Sequence, residues 1–227
     1  MLKNINCPLT ELQTSYVIGR NEEEMATKVI YELKTESIEL HRLERAMEKT
    51  IMEQPALNSY IHNSKLLMMK ETINPVHVPF TDISSYAEDE KERHINNVLN
   101  ELKRNVWDCK EGYPVTVSAV KMDENDIRIF LDFDMLIFDG MSTKLFLDKI
   151  KHYYDDPHAI PQVDHSFFDY CLSKTKLQKS KGYERAKNYW LSDEASLPPA
   201  PDISHFNSDM SAENAVFDRL TETMAQD

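Results

Sequence analysis

The chain has 227 residues, 41% of them hydrophobic, and a formal net charge of −13, which allows one domain or two small ones around a sizeable core. Lys and Arg are scattered rather than striped, so the acidic balance argues against binding to nucleic acid or to an anionic membrane surface. No apolar run approaches the ~20 residues that span a bilayer, the opening stretch lacks the apolar centre of a signal peptide, and Cys7, Cys109 and Cys171 lie far apart without Cys-x-x-Cys spacing, so the expectation is a cytoplasmic chain with reduced thiols, neither a disulfide framework nor a zinc site.

Residues 8–20 read as a short helix ending near Gly19. Met25, Thr27, Val29, Tyr31 and Leu33 alternate, which predicts one face of a strand. Ser37 is the expected N-cap of the next helix, whose apolar stripe is Leu40, Leu43, Met47 and Ile51 and which Pro55 closes. Leu57 to Ile61 and Leu66 to Met69 read as short strands around a turn at Asn63-Ser64. Ser85-x-x-Glu88 resembles a capping box ahead of a helix with Ile95, Val98, Leu99, Leu102 and Val106 on one face. Val115 to Val120 and Ile127 to Phe133 form a hairpin about the polar turn 123–126. An amphipathic helix covers 144–154, a connection begins at Asp155-Asp-Pro-His158, and further helices cover about 167–176 and 182–190 before Leu197-Pro-Pro-Ala-Pro201. Strands in hairpins alternating with helices predict an α+β fold with a mixed sheet flanked by helices.

Glycine is scarce: Gly19, Gly112, Gly140 and Gly182, against an average usage of about 7%. Phosphate loops and dinucleotide fingerprints need clustered glycines for close backbone approach, so neither is expected. Chemistry concentrates instead in Asp134-Met-Leu-Ile-Phe-Asp139-Gly-Met-Ser142, where two carboxylates and a hydroxyl stand at a strand-to-helix loop. None of the eight histidines lies in that stretch. They are expected as surface or hydrogen-bonded core side chains, and Phe167, Phe168, Tyr170, Tyr183, Tyr189 and Trp190 as core or lobe-packing residues.

The pattern Asp-x-x-x-x-Asp-x-x-Ser in that position resembles the signature of heterocyclization domains of nonribosomal peptide synthetases, variants of condensation domains whose own motif is His-His-x-x-x-Asp-Gly. Pro8-Leu-Thr-Glu-Leu-Gln13 through Tyr16-Val-Ile-Gly19-Arg20 is similar to the opening block of that family. Leu43-Glu-Arg-Ala46 with Gln54-Pro-Ala-Leu57 is similar to its first long helix and the following turn. Tyr189-Trp-Leu191 with Leu197-Pro-Pro-Ala-Pro201 is similar to the segment leaving its first lobe. The resemblance implies a chloramphenicol-acetyltransferase-like lobe over residues 1–200, with 201–227 starting the crossing to a second lobe that this sequence does not cover.

The same resemblance implies the parent activity: amide formation between carrier-bound thioesters, then cyclodehydration of Cys, Ser or Thr to thiazoline or oxazoline, as in siderophore biosynthesis. Substrates would arrive on the phosphopantetheine arms of peptidyl or aryl carrier proteins, with no metal or cofactor bound directly. The implied site is Asp134, Asp139 and Ser142, supported structurally by Arg20 and Gly140. Asp134 is expected to line the cleft, Asp139 to hold the loop by an ion pair with Arg20, and Ser142 to hydrogen-bond the loop, since a Ser nucleophile needs an adjacent base and none is evident. Met135, at the position of the second motif His, cannot accept a proton. Two other readings stand beside this one. A half-domain could be a non-catalytic module that binds a carrier or a partner lobe. Asp132-Phe-Asp134 also resembles the Asp-x-Asp of haloacid-dehalogenase-like phosphatases, but Met135-Leu136 follows it and the preceding strand alternates like a half-exposed one.

Overall fold

In the computed structural model, residues 5–23 and 26–199 are described; the expected crossing segment 201–227 and Met25 lie outside them. The elements run β1 (Asn6–Pro8), α1 (Glu11–Glu23), β2 (Lys28–Thr35), α2 (Leu40–Glu53), β3 (Ser59–His62), β4 (Leu66–Met69), β5 (Phe80–Asp82), α3 (Glu88–Arg104), β6 (Val115–Asp123), β7 (Asp126–Asp134), α4 (Gly140–Asp155), α5 (Ser166–Gln178) and α6 (Lys181–Asp193). The chain divides after Ser180 into two units.

In the first unit a four-stranded sheet has the order β2-β7-β6-β5, antiparallel except for the parallel pair β5 and β6. This is the mixed sheet flanked by helices that the alternation predicts. A second sheet, antiparallel and of order β1-β4-β3, contains the short hairpin expected around Asn63-Ser64, while its edge strand β1, which ends at Pro8, was not read from the sequence. Its hairpin turns at Asn63 and Ser64 with φ of 51° and 54°, the paired left-handed geometry that matches strand twist.

The main core fills the space between one face of the larger sheet and helices α2 and α4. Leu43, Met47 and Ile51 of α2 recur at helical spacing and meet Val117, Leu131 and Phe133 of the sheet and Phe146, Ile150 and Tyr153 of α4. The Phe133 ring meets Phe138 and Phe146 edge-on, with centroids 4.9 and 5.5 Å apart; aromatic pairs in this arrangement contribute about 0.5–1.5 kcal/mol beyond their burial. On the opposite face, Ile95, Val98, Leu99 and Leu102 of α3 cover Ile83, Val120 and Phe130. This double cover corrects the half-exposed reading of β7, which is buried continuously from Phe130 to Asp134.

Helix boundaries differ locally. α1 continues through Gly19 and Arg20 to Glu23. Glu39, not Ser37, precedes α2, and no side chain caps it. Ser85 is not the cap of α3; the Glu90 carboxylate accepts from the Ala87 N–H instead, and Val106 lies beyond the helix end. α5 packs Phe168 and Cys171, three residues apart and so on one face, against Cys7 and Leu67 of the smaller sheet. In the second unit, the Tyr189 and Trp190 rings of α6 meet edge-on at 5.5 Å. Both are exposed, as is Tyr170 of α5, so of the expected core or lobe-packing roles the core one does not apply to them.

Candidate functional site

β7 ends at Asp134, three residues turn, and α4 starts at Gly140. Two different anchors hold this loop. The first is α1. Thr10 and Gln13 cap that helix reciprocally: the Gln13 N–H donates to Thr10 Oγ1 at 3.2 Å and the Thr10 N–H to Gln13 Oε1 at 3.0 Å, the capping box of Thr-x-x-Gln. Gln13, Val17 and Arg20 then recur at i, i+4 and i+7, so one face of α1 carries all three. That face meets the motif loop: Gln13 Nε2 donates to the Leu136 carbonyl at 3.1 Å, Val17 packs with Leu136 and Trp107, and Arg20 Nη2 donates to both carboxylate oxygens of Asp134 at 2.6 Å. Arg20 Nη1 also donates to the Trp107 carbonyl and the Cys109 sulfur, at 3.2 and 3.1 Å.

Arg20 therefore pairs with Asp134, not with Asp139. The expected partner was wrong because α1 runs past Gly19, which carries Arg20 to the buried, strand end of the loop. Asp134 is 4% exposed and borders a small cavity of about 10 Å³ together with Lys28, Trp107 and Asp132. Its Oδ1 also accepts from the Leu136 N–H at 3.0 Å, and its carbonyl accepts from Ile137 and Phe138. The carboxylate thus organises the turn from inside. Met135, next in line, packs against the main core, and its N–H donates to the Thr27 carbonyl.

The second anchor is α4 itself. Asp139 is its N-cap: Oδ1 accepts from the Ser142 N–H at 2.7 Å and from the Ser142 hydroxyl at 2.5 Å, while the Asp139 N–H donates back to Ser142 Oγ at 3.4 Å. The Ser142 hydroxyl first, and its N–H second, hold the Asp139 carboxyl below its ordinary range. An adjacent carboxylate is therefore present beside Ser142, contrary to the sequence reading, but a carboxyl lowered in this way is a weaker base. Gly140 has room around it, since a Cβ there would meet no atom within 4 Å.

Asp132 adds a second carboxylate on the face of β7 that carries Asp134. Lys28 of β2 reaches it diagonally at 2.8 Å and also donates to the Leu102 carbonyl at 2.8 Å and to the Asn105 carbonyl. Among the described residues one Asp132 oxygen is buried without a hydrogen-bond partner, and burial raises the Asp132 carboxyl despite Lys28. Lys28 and Arg20 thus occupy both members of Asp132-x-Asp134, and β7 is antiparallel to both its neighbours, which does not fit the phosphatase reading. Burial likewise raises the Cys109 thiol, against the pull of Arg20. Gln13, Lys28, Trp107 and Cys109 were not read from the sequence as residues of the site. Thr10-x-x-Gln13 and the 13/17/20 spacing were signals for the first; the last two lie in an irregular segment with no periodicity.

The Condensation domain family profile matches residues 4–226. The chain belongs to the condensation-domain family. Relatives include bacitracin synthase 1 of Bacillus licheniformis, 23% identical over 201 residues, and pyochelin synthetase PchE of Pseudomonas aeruginosa, 23% identical over 198 residues; these alignments cover 86% and 85% of this chain but 4% and 14% of those proteins. Among solved structures, the EpoB cyclization-docking bidomain of the Sorangium cellulosum nonribosomal peptide synthetase superposes with a TM-score of 0.78 at 23% identity, over 87% of this chain and 41% of that one. The starter condensation domain of the rhizomide synthetase RzmA superposes at 0.67 and 14% identity, over 82% and 48%. The chain therefore spans less than half of each of these relatives, and it has the acetyltransferase-like condensation-domain fold. Within that fold the Asp134–Ser142 stretch forms the loop that α1 clamps. Among the described residues, no helix is long and apolar enough to cross a membrane.

Proposed function

We propose that this chain is the N-terminal lobe of a heterocyclization-type condensation domain. One observation carries the reading: Asp134 replaces the first motif His, and its side chain is fully engaged with Arg20 and the loop backbone, with Met135 next to it. No imidazole in the motif can take a proton from an attacking amine, so the loop is built for something other than the His-dependent condensation step. The likeness to a cyclization domain and to pyochelin synthetases supports the same direction.

The proposed reaction has two steps on substrates tethered by phosphopantetheine to carrier proteins. The amine of a carrier-bound Cys, Ser or Thr attacks the donor thioester, forming the amide and releasing the donor carrier's thiol. The side-chain thiol or hydroxyl then adds to the amide carbonyl, and water leaves to give thiazoline or oxazoline. Asp134 and Arg20 act as positioning residues that fix the loop. Asp139 and Ser142 stand at its exposed end, where they can meet a substrate. Leu12 and Ile18 on α1 and Met141 and Leu145 on α4 are exposed apolar side chains on the two helices that hold the loop, and a second lobe would cover them.

That exposure also favours the second reading, a non-catalytic module that binds a carrier protein or a partner lobe. Loaded donor and acceptor carriers, incubated with this chain alone, are expected to give neither amide nor heterocycle by mass spectrometry. Adding a second lobe in trans is expected to restore both. Turnover by the chain alone would overturn the half-domain reading. A restored amide without heterocycle would assign ordinary condensation instead.

A further inference from the structure

A groove remote from the motif loop carries the opposite charge to the rest of the molecule. It lies between the first turns of α2 and the end of α4, has a volume of about 320 Å³, and is lined chiefly by Glu39, His41, Arg42, Arg45, Lys49 and Tyr153. Arg42, Arg45 and Lys49 follow at intervals of three and four residues, so they form one stripe about 10 Å long on the surface of α2. In a chain of net charge −13, carboxylates are abundant, yet among the described residues neither Arg45 nor Lys49 has a carboxylate partner. Arg42 meets Glu39 at 3.5 Å in an exposed pair, which offsets little of its charge.

The cations are also held in place. Arg42 donates through Nε to the Tyr154 carbonyl and through Nη2 to the Asp155 carbonyl at 3.2 Å, and its guanidinium lies 4.9 Å from the Tyr154 ring centroid. Lys49 donates to the Pro157 and Ala159 carbonyls at 2.5 and 2.7 Å. Arg45 Nε donates to His41 Nε2 at 3.1 Å, and the residue lines the groove. Side chains already ordered lose little freedom when a ligand binds, so more of the Coulomb attraction appears as affinity.

We infer that this groove docks an acidic helical segment of a partner protein. A half-open trough with charges strung along one helix suits an extended array of carboxylates better than a single small anion. Carboxylates at three- and four-residue spacing on a helix repeat at the interval of Arg42, Arg45 and Lys49. The surrounding negative charge repels such a partner elsewhere and orients it toward the basic stripe.

The test uses the full chain and a fluorescent helical peptide of about 15 residues with Glu at positions i, i+4 and i+7, followed by anisotropy in low salt. Its Gln counterpart, inorganic phosphate as a competitor, and added salt are the other arms. Arg45→Glu reverses the charge of a side chain whose hydrogen bond among the described residues is to His41, and Arg93→Glu on α3 is the control at an exposed basic site. The expected result is saturable binding of the Glu peptide, weakened at least about tenfold by Arg45→Glu, unchanged by Arg93→Glu, and lost with the Gln peptide. Failure of the wild-type chain to bind, equal weakening by both variants, or displacement by phosphate at concentrations matching the peptide's own would overturn the proposal, the last by assigning a small-anion site.

Discussion

Asp134 and Asp139 stand at opposite ends of one loop, yet Asp134 is buried and gripped by Arg20 through both oxygens, whereas Asp139 is exposed and spends its carboxylate on the first turn of α4. The first has been withdrawn from water and depends on a partner 114 residues away. The second is satisfied by a residue three positions on and remains wet. The same side chain therefore serves long-range assembly at one end and local helix capping at the other. The role of each carboxylate follows from the element that reaches it, not from its place in the motif.

The largest effects should come from splitting the buried pair. Removing one partner of a buried ion pair strands the other charge and costs about 3–5 kcal/mol. Asp134→Ala and Arg20→Ala are each expected to lower the unfolding free energy of the full chain by about 3 kcal/mol in urea titrations. Arg20→Met combined with Asp134→Leu should recover part of that loss, because no buried charge is then left alone. If either single variant cost no more than Asp139→Ala, the contrast between the two ends would collapse.

Gln13 clamps the same loop without charge. Gln13→Leu removes the donor to the Leu136 carbonyl and the acceptor of the Thr10 N–H, and a loss of about 2 kcal/mol is expected. Gln13→Glu keeps the acceptor that caps α1 but loses the amide donor. If Gln13→Glu matched the wild type in thermal midpoint, the contact to Leu136 would carry no weight and the helix cap would be the whole role of Gln13.

The stripe of α2, the 115–134 hairpin and the strand-to-helix loop were all readable, because period-two and period-3.6 patterns report which residues face a core. The partner of Arg20 was not, because it depended on whether α1 stops at Gly19, and an isolated glycine is tolerated within a helix. Lys28 lies opposite Asp134 in the register of β2 and β7 but pairs with Asp132, a diagonal reach that only coordinates reveal. Trp107 and Cys109, in the irregular link between α3 and β6, complete the surroundings of Arg20 from a segment with no pattern to read.

At the exposed end the expected effects are smaller. Asp139→Ala removes an N-cap and should cost about 1 kcal/mol, while Asp139→Asn, an equally good cap, should cost little. The Asp139 carboxyl is held below its ordinary range, so its contribution is present above the unfolded-state value of about 4 and is lost as pH falls through the lower folded-state value. The stability gap between wild type and Asp139→Ala should therefore narrow in acid. A gap independent of pH would mean that the cap does not need the charged form.

Asp132 gives the smallest effect and the opposite sign. Burial raises its carboxyl in the folded chain, so the folded state binds the proton more tightly than the unfolded state does. The associated stability is fully present below the unfolded-state value of about 4 and is lost as pH rises through the folded-state value. Asp132→Asn fixes the uncharged form, and Lys28 keeps its two backbone carbonyls in either case. The variant should therefore gain on the wild type as pH rises from about 3 through the weakly acidic range, read as the difference between their urea midpoints at each pH. A wild type that gains on Asp132→Asn over the same range would show that Lys28 outweighs burial. Asp132 would then belong with the charge-stabilised pairs, and its unpartnered oxygen would have to be satisfied by solvent.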